Sequence, residues 1–262
     1  MTSKKPKVVI LCGGQGTRLR EETEYKPKPM VEIGGKPIVW HIMRTYAKYG
    51  YNEFVLCLGY KGEMIKDYFY HYKIKNNDFT IELNTKNISF HDHDSENDWK
   101  ITLVDTGKEA MTGARVKKVE KYVDTDFFML TYGDGVTDLN IKKLIEFHKS
   151  HGKIGTVTGV YPPSHYGQLD ILGDVVHSFK EKPREGQSGA ISGGYFVFDR
   201  KIFDYLSAED SCIFEREPLE KLAQEKQLKV LHYSGFWQCM DTYRDFKFLN
   251  DLWDSGKAPW KV

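Results

Sequence analysis

The chain has few cysteines, and none is suitably spaced for paired chemistry. Cys12, Cys57, Cys212 and Cys239 form no C-x-x-C pair. They offer neither a disulfide framework nor a paired-thiol metal or redox motif, and they read as reduced, mostly buried residues of a cytosolic protein. An excess of one charge is also missing. Lys and Arg number 38 against 37 Asp and Glu, leaving a formal charge of +1. No global field therefore recruits nucleic acid or an anionic membrane, and any anion recognition must be local. No apolar run approaches the roughly 20 residues of a membrane span. Thr2 to Lys7 is polar and basic with no apolar stretch of signal-peptide length behind it, so no signal peptide is expected. Internal repeats and Gly/Ser-rich linkers are absent too. One continuous domain over 1–262 is the expectation, and the length suffices for a large α/β core.

The composition is globular, with 40% hydrophobic and 29% charged residues. Its most informative stretch comes early: Lys7-Val-Val-Ile-Leu-Cys-Gly-Gly-Gln-Gly-Thr-Arg-Leu19, then Lys26-Pro-Lys-Pro-Met30. Val8 to Leu11 predicts a buried strand running into a glycine-rich turn. Gly13, Gly14 and Gly16 let backbone approach a ligand, and the turn's N–H groups can cradle phosphate. Arg18 adds a fixed cationic fork, and Lys26 and Lys28 add mobile ammonium groups. No Gly-Lys-Ser/Thr ending follows, which excludes a P-loop. A dinucleotide fingerprint fails at Leu19, where a small residue is needed. An ordinary βα turn with a salt-bridging arginine is the alternative reading of this stretch.

The rest of the pattern alternates strands and helices. Helices are predicted over 37–49, 63–72, 111–122, 139–150, 217–224 and 242–252. Strands are predicted over 54–58, 99–105, 126–132, 155–161, 195–198 and 228–233. That rhythm predicts an α/β fold with a doubly wound, mostly parallel sheet. Residues 78–98 break it as an inserted hairpin and loop. Its His91-Asp-His-Asp94 could be imagined as a metal site, but i, i+2 spacing on a polar loop is poor ligand geometry. A second hairpin is expected across Gly173-Asp174. His148 and His151 read as surface residues at a helix C-terminus.

Two acids stand out. Gly133-Asp134-Gly135 closes a strongly apolar strand. Glycines on both sides let a substrate approach, and a carboxylate there suits Mg²⁺; a plain turn is the alternative. Asp241 lies where a helix begins and reads as its N-cap, and a capping carboxylate can still offer its second oxygen to a metal. Arg18, Lys28 and Lys182 with Asp134 and Asp241 are the equipment of phosphoryl or nucleotidyl transfer. Positioning and charge neutralisation dominate that chemistry.

LCGGQGTRL with KPKPM resembles the signature of the sugar-nucleotide pyrophosphorylases, also called nucleotidyltransferases. The resemblance continues through VEIGGKPIVWHIM, TLVDTG, YGDGV, FKEKP, FWQCMDT and SGKAPWK, almost the whole chain. It implies the nucleotide-diphospho-sugar transferase fold: a Rossmann-like mixed, mostly parallel sheet flanked by helices. It implies Mg²⁺-dependent transfer of CMP from CTP to a sugar 1-phosphate, glucose 1-phosphate in the branch that VEIGGKPIVWHIM resembles. UTP or dTTP, or another phosphorylated acceptor, is the alternative. By the same resemblance, the nucleotide meets Leu11, Cys12, Gly13, Gly14, Gly16, Thr17, Arg18, Lys28, Thr106, Gly107, Gly113 and Gly133. The sugar phosphate meets Glu181, Lys182, Ser192 and Gly193. Arg115 lies near the sugar phosphate or the base; a surface helix charge is its other reading. Asp134 and Asp241 hold the metal, with Arg18, Lys28 and Asp134 catalytic. The family is usually oligomeric, so a homo-oligomer is expected, with 78–98 as a candidate contact; the C-terminal SGKAPWKV is either a docked tail or a further oligomer contact. Ser192 departs from the family's usual Asn and shortens the polar reach toward sugar hydroxyls. Cys12 for Ala and Cys239 for Pro are further departures.

Overall fold

Val8–Cys12 (β1) is buried at every residue. A strand covered on both faces needs such a continuous apolar run, and β1 is an interior strand of a seven-stranded sheet. The computed structural model describes residues 4–91, 96, 98–162, 168–172, 175–180 and 189–261.

From β1 the chain passes through helix α1 (Ile38–Ala47) to β2 (Glu53–Leu58), then helix α2 (Gly62–Tyr70). Strands β3 (Phe79–Glu82) and β4 (Asn87–Phe90) form the expected inserted hairpin, exposed along its length. Strand β5 (Lys100–Asp105) rejoins the sheet beside β2, and helix α3 (Thr112–Lys118) follows. Then the direction of growth changes. Strand β6 (Phe127–Tyr132) pairs with the other side of β1. After the short strand β7 (Gly135–Thr137) come helix α4 (Ile141–His151) and β8 (Gly155–Val160). Strands β9 (Gln168–Leu172) and β10 (Val175–Lys180) pair as the second predicted hairpin. Strand β11 (Ile191–Asp199), helix α5 (Glu217–Gln224), strands β12 (Leu228–Tyr233) and β13 (Trp237–Cys239) and helix α6 (Tyr243–Asp254) complete the order.

The sheet order is β12-β8-β11-β6-β1-β2-β5. All neighbouring pairs are parallel except the two made by β11, which is antiparallel to β8 and β6. The mixed, mostly parallel expectation is met. Strand order reverses between β1 and β6, and open α/β sheets bind ligands outside the carboxyl ends of strands at such a switch point. Alternate residues of β1 serve the two faces. Val8, Ile10 and Cys12 pack with residues of α1, α4 and α6. Val9 and Leu11 pack with residues of α3, α5 and the Phe203 turn.

Two local expectations are corrected, and one open alternative is decided. His148 is not a surface residue: it is 6% exposed, and its Nδ1 lies 3.0 Å from Thr156 Oγ1. It shares the buried stripe of Ile141, Leu144 and Ile145, one face of a 3.6-residue helix. The cap of α6 is Thr242, not Asp241; Thr242 and Asp245 close a capping box. The C-terminal tail docks on its own chain: Trp260 is buried and stacks on Phe236 at 5.2 Å. In the His91-Asp-His-Asp94 motif, residues 92–94 lie outside the described residues. The His91 ring nitrogen pairs with Thr80 Oγ1 at 2.8 Å.

Candidate active site

The carboxyl ends of β1 and β6 open into a cleft of about 300 Å³. Leu11, Gly13, Gly14, Gly16, Thr17, Arg18 and Lys28 line one side, and Tyr132, Gly133 and Asp134 another. Glycine is required at two of these places by close approach. A Cβ on Gly13 would lie 2.2 Å from the Arg115 guanidinium carbon, and one on Gly133 would lie 2.8 Å from the Leu11 carbonyl. The loop is tied down behind the cleft by Thr23, whose hydroxyl donates to the Gly16 carbonyl at 2.9 Å.

Arg115 is 4% exposed, so the surface-charge reading is excluded. Its guanidinium donates to the carbonyls of Leu58 (3.0 Å), Gly107 (2.7 Å), Gly13 (3.1 Å) and Lys108 (3.2 Å) and to Thr106 Oγ1 (2.8 Å). One buried cation thus braces the glycine loop against the ends of β2 and β5. Arginine suits this place because its planar fork presents several donors at once. Burial lowers its pKa from the ordinary value. Arg115 lines the glycine-loop cleft and not the recess beside Ser192.

Asp134 and Asp241 are brought together by a device with no local sequence signal. Strand β7 pairs antiparallel with β13, setting Gly135 opposite Cys239. The Met240 N–H then donates to the Asp134 carbonyl at 2.8 Å. Asp245 fastens the other end: its Oδ2 accepts from the Asp241 N–H at 3.1 Å and from the Thr242 N–H at 2.9 Å. Because Thr242 caps the helix, the Asp241 carboxylate is free to face the cleft. Lys28 opens the 3₁₀ turn Lys28–Met30 and stands between Pro27 and Pro29, which restrict the backbone on either side of it. Its Nζ lies 2.7 Å from Asp134 Oδ2 and 2.5 Å from Asp241 Oδ1. Arg18 stands 3.1 Å from Asp241 Oδ2, with its side chain 76% exposed toward the opening.

The charges support one another. Burial opposes the Lys28 ammonium, but Asp134 and Asp241 outweigh it and raise its pKa. Burial likewise favours a neutral Asp241, but Lys28 and Arg18 hold that carboxyl below the ordinary carboxylate value. Both thiols nearby stay protonated: burial pushes Cys12 well up and Cys239 up to about 12. The two aspartates direct hard oxygens at a single cation and remain partly open. Two carboxylates, with phosphate oxygens and water completing the shell, are a donor set suited to Mg²⁺. Among the described residues no cluster of three or more His, Cys, Asp or Glu offers an alternative metal site.

A smaller recess of about 140 Å³ lies beyond Asp134, lined by Arg18, Ser192, Gly193, Trp237 and Asp241 among others. Trp237 Nε1 donates to the Gly193 carbonyl at 2.7 Å, which fixes one wall. Glu181 and Lys182 lie outside the described residues. Thr106 and Gly107 stand behind the cleft as partners of Arg115. Cys12 is fully buried, its sulfur beneath Gly133. Gly113 packs elsewhere: its N–H donates to the Cys212 carbonyl at 3.0 Å, and a Cβ there would lie 2.6 Å from Cys212 Sγ. Besides Arg115, that segment lines the cleft with Ala110, Met111 and Thr112, none of which sequence reasoning selected. Asp245 and Trp237 were also missed. The T-x-x-D spacing from Thr242 was the available signal for Asp245.

The profile of the Nucleotidyl transferase family matches residues 7–246. Glucose-1-phosphate cytidylyltransferase of Salmonella typhimurium is 50% identical over 257 residues, covering 98% of this chain and 99% of that one. The probable glucose-1-phosphate cytidylyltransferase of Bacillus subtilis is 43% identical over 256 residues, with 98% and 99% covered. Among solved structures, HddC from Yersinia pseudotuberculosis complexed with GMP-PN matches with a TM-score of 0.69 and 28% identity, covering 95% of this chain and 100% of that one. The chain belongs to the nucleotidyl transferase family.

Proposed function

We propose that this nucleotidyltransferase moves CMP from CTP to α-D-glucose 1-phosphate, giving CDP-glucose and pyrophosphate. The chemistry rests on one observation: Asp134 and Asp241 converge on Lys28, beside Arg18, at the mouth of the glycine-loop cleft. The choice of substrates rests on the relatives' 50% and 43% identity over nearly the full length.

CTP lies over Gly13, Gly14 and Gly16, with its base toward the backbone braced by Arg115. A phosphate oxygen of the sugar phosphate forms a bond to the α-phosphorus. The bond from that phosphorus to the bridging oxygen breaks, and pyrophosphate leaves with the electron pair. Arg18 meets the departing pyrophosphate, and Lys28 neutralises charge that grows on the α-phosphate. Lys182 is assigned to the attacking phosphate, and Glu181, Ser192 and Gly193 to the sugar. The attacking phosphate is already anionic at neutral pH, so no protein nucleophile or general base is required. Asp134 and Asp241 would hold Mg²⁺, which supplies charge neutralisation to the phosphate oxygens. The reading extends to a cytosolic homo-oligomer. The four free thiols support a reducing compartment, and the exposed Phe79, Ile81, Ile88 and Phe90 support a subunit contact.

A grid of CTP, UTP, dTTP, ATP and GTP against several sugar 1-phosphates, with and without Mg²⁺, tests the proposal through pyrophosphate release. CTP with glucose 1-phosphate should give the highest kcat/KM, at least about tenfold above other pairs, since 1.4 kcal/mol of discrimination suffices for that ratio. A different preferred nucleotide overturns the donor assignment. A different sugar is the second reading, and Ser192 is the residue that favours it. Its hydroxyl accepts from the Gly194 N–H at 3.3 Å, a bond within its own strand.

A further inference from the structure

Every oxygen with which Asp241 could bind a metal is already engaged. Oδ1 takes the Lys28 ammonium at 2.5 Å, and Oδ2 takes Arg18 at 3.1 Å and the Cys239 thiol at 3.5 Å. Asp134 Oδ2 takes the same Lys28 ammonium at 2.7 Å. Both acids therefore share one cation, and that cation belongs to the protein. Lys28 is 9% exposed and its backbone stands between Pro27 and Pro29, so it is not a surface lysine that happens to reach inward. Two carboxylates this close repel each other unless a positive charge stands between them.

We infer that Lys28 is a built-in counter-ion for the divalent-metal site, holding Asp134 and Asp241 until nucleotide phosphate draws it away. This rests on the reading that those two acids are the metal ligands. A divalent ion arriving alone must displace an ammonium that then has no partner in a largely buried position. A divalent ion arriving with a nucleoside triphosphate brings the replacement partner along. The ion takes the carboxylates, and the α-phosphate takes Lys28. Charge is conserved in the exchange, and no covalent bond changes. Metal and nucleotide binding are then thermodynamically coupled, each raising the affinity of the other. The arrangement also explains why a catalytic lysine sits on the acids themselves and not farther along the cleft. It is stored at the place from which the α-phosphate can collect it.

The test is a Mn²⁺ titration of the full chain, read by electron paramagnetic resonance of the free ion and by calorimetry. Each protein is measured alone and with saturating CTP, against Mn²⁺ and CTP without protein. Wild type should bind Mn²⁺ at least tenfold more tightly with CTP than without. Lys28→Met should bind Mn²⁺ alone at least tenfold more tightly than wild type does, and its gain from CTP should shrink. Lys28→Arg, which keeps a cation, should stay near wild type without CTP. Lys28→Met binding Mn²⁺ no better than wild type overturns the inference. Should Lys28→Met fail to fold, Lys28→Gln serves in its place. Wild type alone also decides: equal Mn²⁺ affinity with and without CTP overturns the coupling. Asp134→Asn separates the two levels. If it leaves Mn²⁺ binding in the presence of CTP intact, the metal assignment itself fails. If it abolishes that binding while Lys28→Met shows no gain, only the counter-ion role fails.

Discussion

Replacing Arg115 with methionine should damage nucleotide binding and stability together. The side chain keeps most of its volume, so the perturbation is the loss of donors and not a cavity. Five acceptors lose a partner. Two of them keep another: the Leu58 carbonyl still takes the Thr106 N–H at 3.0 Å, and the Gly13 carbonyl still takes the Tyr60 N–H at 3.2 Å. Lys108 is exposed and Gly107 partly so, and their carbonyls can turn to water. The loss is therefore well below five full hydrogen bonds. Two or three charged bonds at about 1.5 kcal/mol each give roughly 3–5 kcal/mol. Removing the guanidinium's own desolvation returns part of that, leaving about 3 kcal/mol. The functional effect follows from Gly13, whose carbonyl is fixed by the arginine. A loosened glycine loop should raise the KM for CTP about tenfold, or about 1.4 kcal/mol, with a smaller effect on kcat. Urea unfolding and initial-rate kinetics measure both. A variant within 1 kcal/mol of wild type with KM changed less than twofold would refute the brace.

Three other outcomes follow from the same geometry. Gly13→Ala should reproduce the rise in KM for CTP, because its Cβ would meet the guanidinium at 2.2 Å; normal KM would show that the two do not press together. Asp245→Ala removes the capping box and the acceptor of the Asp241 N–H, so stability should fall by about 1 kcal/mol and kcat with it; unchanged kcat would free Asp241 from that support. Burial holds His41 and His148 at about 4, below the ordinary 6.5. Below the ordinary value the unfolded chain takes up protons that the folded chain refuses, so stability falls as pH drops toward 4. Between pH 7.5 and 5 the loss should be about 2 kcal/mol per histidine, read from urea midpoints, and a flat profile would contradict the burial account.

The sheet and the glycine loop were legible because their causes are local. Val8 to Leu11 is apolar at every position, and a strand buried on both faces must be. The acid at Gly133-Asp134-Gly135 was legible because glycines around a carboxylate at a strand end serve packing poorly. Two misreadings had signals in the sequence. His148 completes the spacing of Ile141, Leu144 and Ile145, and its polarity hid its place on a buried stripe. Thr242 and Asp245 have capping-box spacing, which displaces Asp241 from the cap. The rest was not legible for a physical reason. The ladder joining Gly135–Thr137 to Trp237–Cys239 is three residues long on each side, too short for a periodic signal. Its partners stand a hundred residues apart, and only the folded sheet brings them together. The five acceptors of Arg115 come from three separate segments, so nothing near position 115 announces its role.

The most direct measurement is pyrophosphate release from CTP and glucose 1-phosphate by Asp134→Asn and Asp241→Asn, each first checked for wild-type stability. If the two carboxylates serve one cation at the reacting phosphates, each variant should lose about 10²-fold or more in kcat. Turnover within threefold of wild type in either variant would contradict the account.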